Sequence, residues 1–351
     1  MTGSARVLVL GGSGFLGAHT VRARAAAGCE VTSLSRSGGT PAPGARVLRA
    51  DRRDPAALAA ALEGARFDAT VDFCAWDSGD VERLLRVPYA ALGRYTLISS
   101  GQVYLVTDAP RPNAEPGADG VPPFREEDSD RALLPEPAPD SPDHAPWAYG
   151  VGKRRAESAV LALRQSHGMR AVVLRLPVIH GVGDPTLRLW AYLERMLDGG
   201  PLLLPEGGAQ LTRYLWVEDV ARAVLALLEL AAPREAIYNL AQPDIVSLRE
   251  FLVRAAAAAG RPEPRFVEVS ISELEREGLN GVSPLSGRWT SVLDPSRAAA
   301  EWGFIGTRLD HWLAAVVRGQ LDPRPARDPA GDARRAREIE FAARRTAPSP
   351  A

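Results

Sequence analysis

The sequence predicts an α/β protein, a doubly wound parallel sheet followed by a smaller C-terminal α/β region. Three observations predict it. Short strand-like runs alternate with helical stretches through the first 180 residues, the pattern of a parallel sheet with helices on both faces. The first run feeds directly into a glycine-rich turn, Gly11-Gly12-Ser13-Gly14-Phe15-Leu16-Gly17. The chain also holds 42 Lys plus Arg but a single lysine, Lys153, four residues after Tyr149.

Composition sets the outer bounds. With 351 residues the chain can form one large domain or two with ample core. Hydrophobic content of 46% and charged content of 24% are those of a soluble globular protein. A formal net charge of −1 leaves no overall electrostatic footprint for nucleic acid or an anionic membrane. Two cysteines, Cys29 and Cys74, make no disulfide framework and suggest a reducing compartment. No apolar run reaches membrane-spanning length and no secretory leader is recognisable, so the expected location is cytoplasmic.

Taken in order, Ala5 to Leu10 reads as a buried strand, followed by the glycine turn and a helix to about Ala27. Glycines at 11, 14 and 17 form G-x-x-G-x-x-G, a variant of the dinucleotide fingerprint. Such spacing permits a tight turn, close approach of backbone to a pyrophosphate, and close packing of helix on strand. The helix N-terminus then offers free N–H groups to phosphate. These features make the first half a Rossmann-type domain.

Glu30 to Leu34 is the second strand. Its carboxyl end reads Ser35-Arg36-Ser37 rather than the acid that holds the ribose hydroxyls of NAD. Arg36 between hydroxyls suits a 2′-phosphate, which favours NADP and leaves NAD as the alternative. Arg46 to Ala50 is the third strand. Asp51 after it either meets the adenine or caps the next helix. Asp68 to Cys74 is the fourth strand, running into Ala75-Trp76, and Tyr95 to Ser99 the fifth, running into Ser100-Gly101-Gln102. Ligands of such sheets sit at the strands' carboxyl ends, where the Ser100 hydroxyl can hold a substrate oxygen.

Residues 105–147 form a long connection dense in proline and acids, read as a lid or specificity loop or else a disordered insertion. Ala148 to about His167 is a helix, on which Tyr149 and Lys153 share a face. A free tyrosine titrates near ~10; bringing it to neutrality takes roughly 4 kcal/mol, about what one cation some 4 Å away supplies at an effective dielectric of about 20. The pair is thus a candidate proton donor and acceptor for a carbonyl/hydroxyl couple. Arg170 to Leu176 is the sixth strand, ending at Pro177-Val178-Ile179-His180, where His180 either faces a ligand or is structural.

The expected organisation is a dinucleotide-binding domain at 1–180 with the 105–147 insertion, then a substrate-binding region at 181–321. Some segments of that region can return to the sheet. An Arg/Ala/Pro-rich tail at 322–351 is expected to be partly disordered, with room for a helix near 331–344 before a frayed end.

Read together, Gly11-x-x-Gly14-x-x-Gly17, Asp51, Ser99-Ser100-x-x-Val103-Tyr104 and Tyr149-x-x-x-Lys153 resemble the extended short-chain dehydrogenase/reductases, more narrowly the NAD-dependent epimerase/dehydratase family. Arg213-Tyr214-Leu215-Trp216-Val217-Glu218-Asp219-Val220-Ala221 and Leu293-Asp294-Pro295-Ser296-Arg297-Ala298 extend the likeness over roughly residues 5–320. The resemblance implies Tyr149 as acid/base, Lys153 lowering its pKa and bonding the nicotinamide ribose, and Ser100 orienting the substrate oxygen. It implies cofactor contacts at Gly11, Ser13, Gly14, Phe15, Leu16, Gly17, Ser35, Arg36, Asp51, Cys74, Ala75, Ser99, Tyr149, Lys153, Pro177 and Ile179. Substrate contacts are expected at Gln102, His180, Arg213 and Arg288, the two arginines fitting a nucleotide-sugar pyrophosphate or lying on the surface. No metal is expected.

Gly101-Gln102 stands where the family's 4,6-dehydratases carry Asp-Glu, which disfavours dehydration. The expected function is therefore NAD(P)-dependent hydride transfer at a hydroxyl or carbonyl carbon of a sugar-like substrate, free or nucleotide-linked. It would act as an epimerase or a reductase; a ketoreductase of a non-sugar molecule is an alternative. Chloroplast stem-loop RNA-binding proteins share this fold, so a non-catalytic sensor or RNA binder is a further alternative. The intact Ser/Tyr/Lys set and near-zero net charge count against that. A homodimer is one assembly the resemblance allows.

Overall fold

A parallel sheet of seven strands carries the molecule. The computed structural model describes residues 4–39, 41–84, 91–110, 122–230, 233–287, 290–326 and 329–346. The first half alternates strand and helix: β1 (Arg6–Leu10), α1 (Phe15–Ala26), β2 (Glu30–Ser35), β3 (Arg46–Arg49), α2 (Pro55–Ala61), β4 (Ala69–Asp72), α3 (Ser78–Leu84), β5 (Arg94–Ser100), the single turn α4 (Gln102–Leu105), α5 (His144–His167) and β6 (Ala171–Leu176). The second half carries β7 (Ile179–His180), α6 (Arg188–Asp198), β8 (Leu202–Pro205), β9 (Leu211–Thr212), β10 (Leu215–Trp216), α7 (Val217–Glu229), β11 (Ile237–Asn239), β12 (Val246–Ser247), α8 (Leu248–Ala258), β13 (Phe266–Val269), α9 (Ile271–Arg276), α10 (Ser296–Trp302), α11 (Leu309–Leu321) and α12 (Pro329–Thr346).

The sheet order is β11-β6-β5-β4-β1-β2-β3. Strand order reverses between β1 and β4, which opens a crevice beyond their carboxyl ends. Every residue of β4 and β6 is buried, as continuous apolar runs require when helices cover both faces. On one face Val7, Val9 and Val71 pack with Val21 of α1 and Val220 and Val224 of α7. On the other, Leu8, Leu10 and Leu97 pack with Leu58, Leu84, Ala156 and Val160 of α2, α3 and α5. A second core joins Tyr192, Tyr214, Phe251 and Trp312 in the C-terminal half. No helix among the described residues is long and apolar enough to cross a membrane.

Four features depart from or sharpen the sequence reading. Helix α5 begins at His144, four residues before Ala148; Pro146 falls in its first turn, where a missing N–H costs nothing. Strand β11, from the second half, returns to the main sheet beside β6. In the long connection, residues 111–121 lie outside the described residues, but the flanks are built into the fold. Thr107 bridges Leu133 and Phe124 bridges Leu293, and buried Glu126 accepts from the Asn239 amide at 2.8 Å. The tail forms α12, which covers the helix foreseen near 331–344 and docks through Phe341 and Ala342 on Leu203, Val267 and Leu274. Two hydrogen bonds join buried Glu338 to Arg195, and Arg335 is bidentate on Asp198 at 2.7 and 2.8 Å. A composition of Arg, Ala and Glu hides these partners, because they lie over 130 residues away in the chain.

Candidate active site

A cleft of about 770 Å³ opens at the switch point. Its floor is the glycine turn between β1 and α1. Gly11 adopts φ 79°, a conformation that L side chains rarely take. A Cβ on Gly17 would lie 2.2 Å from the Gly11 carbonyl oxygen, so only glycine lets α1 seat this close. Gly12 is equally constrained, since its Cβ would meet Ser33 Oγ at 2.3 Å. At the N-terminus of α1, Gly14 supplies no side-chain cap and the first turn holds no acid. The free N–H groups and positive dipole end therefore face the cleft without a competing partner, which fits a pyrophosphate.

One end of the cleft is cationic and hydroxylated. Ser35, Arg36, Ser37, Asp51 and Arg53 line it. The Ser13 and Ser37 hydroxyls bond each other at 3.0 Å, tying the glycine turn to the loop after β2. Ser35 Oγ accepts from the Gly38 amide at 3.2 Å, and Arg36 is exposed. Asp51 does not cap α2. That role belongs to Asp54, whose carboxylate accepts from Ala56 and Ala57, and Asp51 stays in the cleft wall.

Beneath the wall lies a charge node that the sequence reading missed. Fully buried Asp72, at the end of β4, accepts from Arg52 at 2.6 and 2.9 Å, from the Tyr95 hydroxyl at 2.6 Å, and from the Cys74 and Ala75 amides at 3.0 Å. Burial pushes this carboxyl up, but Arg52 beside it and the bonded donors prevail and leave it below its ordinary range. Arg52 also reaches Cys74 Sγ at 3.1 Å, and burial pushes that thiol up to about 12. The node fixes the strand 4 loop, including the Ala75 carbonyl and the Trp76 main chain.

Ser100, Tyr149 and Lys153 are not part of the cleft lining; Trp76, which is, joins them to it through its ring contact with Tyr149. Lys153 is buried and donates to the Ala75 carbonyl at 2.8 Å and the Ile98 carbonyl at 2.9 Å. Its Nζ lies 5.8 Å from the centre of the Tyr149 ring. Burial lowers the lysine's pKa, against the pull of Asp72 and Glu157. Burial raises the Tyr149 phenol, and only its hydrogen bond with Ser100 pulls it back. Lys153 is not among the groups that shift the Tyr149 phenol; its ammonium is turned toward the main-chain carbonyls of Ala75 and Ile98. Two glycines allow the approach. A Cβ on Gly150 would sit 2.8 Å from the Gln102 carbonyl oxygen, and one on Gly152 would sit 2.7 Å from that of Trp76. The close spacing of glycines around Tyr149 was the signal for this contact.

Other expected contacts are placed elsewhere. The Ser99 hydroxyl points away from the cleft to Glu157, in a buried network where Glu157 pairs with Arg175 at 2.7 Å. Alternation along β5 sends Ser99 and Ser100 to opposite faces. Ala75 is buried and contributes its carbonyl to Lys153. Ile179 is core, and Pro177, partly buried before it, is not among the cleft lining. His180 is wholly buried rather than facing a ligand. It stacks on Phe251 and Trp312, meets Tyr214 edge-on at 4.6 Å, and leaves both ring nitrogens without a partner among the described residues. Its apolar enclosure lowers its pKa to about 3. Arg213 spends its guanidinium on the Leu293 and Pro243 carbonyls at 2.7 and 2.8 Å. Arg288 lies outside the described residues. Gln102 is placed beside Ser100, whose hydroxyl accepts from its amide at 3.2 Å. The Gln102 Nε2 donor is buried without a partner among the described residues.

Residues 7–92 and 127–241 match the NAD dependent epimerase/dehydratase family. The chain belongs to that family. Its fold and glycine cleft are those of an NAD(P)-binding short-chain dehydrogenase/reductase, and the chain is an NAD(P)-dependent enzyme of that type. Among similar curated proteins, 2′-dehydrokanamycin reductase of Streptomyces kanamyceticus is 29% identical over 301 residues, 82% of this chain and 76% of the relative. The 3-diazoavenalumate denitrifying reductase of a Streptomyces species is 30% identical over 272 residues, 76% and 86% respectively. In fold, the family member resembles a dTDP-glucose 4,6-dehydratase from Streptomyces venezuelae, with a TM-score of 0.66, 21% identity and coverage of 91% and 98%.

Proposed function

We propose that this protein is an NADPH-dependent reductase of a ketone on a small cyclic, sugar-like molecule. The observation that carries the proposal is the Ser100–Tyr149 hydrogen bond beside Trp76, a residue of the dinucleotide cleft's lining, with buried Lys153 5.8 Å from the centre of the phenol ring. The glycine turn and the Ser35–Ser37 segment would hold a nicotinamide cofactor, which would supply hydride to the carbonyl carbon. Ser100 holds the carbonyl oxygen, and Tyr149 gives it the phenolic proton as negative charge develops there. Burial keeps that phenol protonated, the state a proton donor needs. The buried Lys153 ammonium lies close enough to favour the resulting phenolate. The overall change is ketone plus NADPH plus a proton to alcohol plus NADP⁺.

Three observations support the finer reading. Arg36, Arg53 and the Ser13–Ser37 pair offer cations and hydroxyls to a 2′-phosphate, and NADPH suits net reduction. No acid follows Ser100, where Gly101-Gln102 stands, and a Cβ on Gly101 would meet Ser291 Oγ at 2.2 Å, which disfavours a dehydratase. Engagement of Arg213 by two carbonyls leaves its Nε buried, which favours a substrate without a pyrophosphate.

The test is stoichiometry. Purified protein is incubated with NADPH and a panel of keto-sugars and cyclic ketones. One NADPH consumed per alcohol formed is the expected result. Isomerised product with no net NADPH loss would establish an epimerase instead.

A further inference from the structure

Trp76 is the only tryptophan among the exposed large hydrophobic residues described, with 57% of its surface open. It lines the cleft and meets Tyr149 edge-on, with ring centres 5.4 Å apart and planes at 70°. Single exposed apolar side chains are common and need no explanation. This one is different because its backbone is fixed from three sides. Its amide donates to buried Asp80 at 2.8 Å. The preceding carbonyl, of Ala75, accepts from Lys153. Its own carbonyl packs on Gly152, where any Cβ would clash. Asp80 is held in turn by Arg83 at 2.8 Å. An indole on so rigid a base, beside a reacting phenol, is a preorganised platform of the kind that binds flat partners at low entropic cost.

We propose that Trp76 is the residue that selects the substrate's ring: it stacks against the apolar face of a neutral cyclic ketone whose carbonyl oxygen reaches Ser100 and Tyr149. The proposal rests on the reductase reading above and adds the chemical class of the substrate. The electron-rich indole face attracts the positive edge or C–H face of a ring, which either an aromatic ring or a saturated pyranose-type ring presents. Gln102, whose main-chain amide donates to Ser100 Oγ at 3.2 Å, also carries a buried side-chain Nε2 with no partner among the described residues.

The test uses the full-length protein and three probe ketones: acetophenone, tetrahydropyran-4-one and acyclic 2-pentanone. With NADPH, Trp76→Ala raises the KM of the ring ketones about 10-fold, changes that of 2-pentanone by less than about 2-fold, and leaves the NADPH Kd in place. Trp76→Phe restores most of the ring preference. Preference for acetophenone marks an aromatic substrate, and preference for tetrahydropyran-4-one a sugar ring. An equal KM rise for all three ketones, no rise for the ring ketones, or weakened NADPH binding instead would overturn the proposal. If wild type reduces none of the probes, the reductase reading fails on them and binding decides the stacking. Saturation-transfer NMR on the NADP⁺-mixed protein then shows ring-proton signals for wild type and not for Trp76→Ala. Signals equal in both, or absent from both, overturn the stacking role.

Discussion

Lys153 Nζ lies 5.8 Å from the centre of the Tyr149 ring, and its two hydrogen bonds go to the carbonyls of Ala75 and Ile98. The only lysine in the chain is thus a buried strut between the β4 and β5 ends and α5 as well as a neighbour of the phenol. A lysine's compact ammonium fits this narrow space between two carbonyls and the phenol, where arginine's larger planar fork would need more room. This accounts for one lysine in a chain that otherwise uses arginine.

The first prediction concerns the phenol itself. Burial raises the Tyr149 pKa and Ser100 only partly offsets it. In cofactor-free protein, the ultraviolet difference between wild type and Tyr149→Phe will show no phenolate below about pH 10. A phenolate appearing near neutrality in that difference would mean that Lys153 already activates Tyr149.

Tyr149→Phe removes the proton donor while keeping the ring against Trp76. It is expected to lower kcat by about 10²–10⁴ with NADPH affinity little changed. Ser100→Ala loses a hydrogen bond to a charged oxygen, a drop of about 10–10². Steady-state kinetics beside cofactor titration separate the two effects; full activity in Tyr149→Phe would remove the tyrosine from the chemistry.

His180 makes acid sensitivity measurable. Its folded pKa of about 3 lies below the ordinary 6.5 because burial, helped by Arg188, disfavours the cation. Between those values the unfolded chain takes up a proton that the folded one does not. Stability is therefore lost as pH falls from about 6.5 toward 3, at up to about 1.4 kcal/mol per pH unit. His180→Phe, placed among Phe251, Tyr214 and Trp312, should flatten that part of the Tm–pH curve relative to wild type. Parallel curves for the two proteins would show that His180 titrates normally.

Asp72 predicts the largest loss of stability. Asp72→Asn leaves Arg52 buried beside a neutral amide, and breaking such a pair costs about 3–5 kcal/mol. Denaturant unfolding of Asp72→Asn beside the cleft-wall control Asp51→Asn checks it; a cost below about 1 kcal/mol for Asp72→Asn would show that the node is not structural.

Much of this was legible in the sequence because it is local. The glycine turn, the buried strands and the Tyr149–Lys153 spacing are all set by residues a few positions apart. What the sequence hid is non-local. Asp72 and Arg52 are joined across two strands, and Arg195 finds Glu338 across 143 residues. His180 and Arg213 looked like site residues because a strand end and an arginine motif placed them near the ligand side. Their surroundings come from α8, α11 and the 243 and 293 loops, which no pattern in the sequence connects to them. Ser99 turns its hydroxyl to Glu157 for a simpler reason, since adjacent strand residues face opposite ways.

The central claim, a reductase site built for NADPH, is tested most directly by titrating the protein with NADPH and NADH and following nicotinamide fluorescence, in wild type and Arg36→Ala. One nicotinamide should bind per chain, with NADPH about 10–100-fold tighter than NADH in wild type and the preference largely lost in Arg36→Ala. Absence of binding, or tighter binding of NADH, would contradict it.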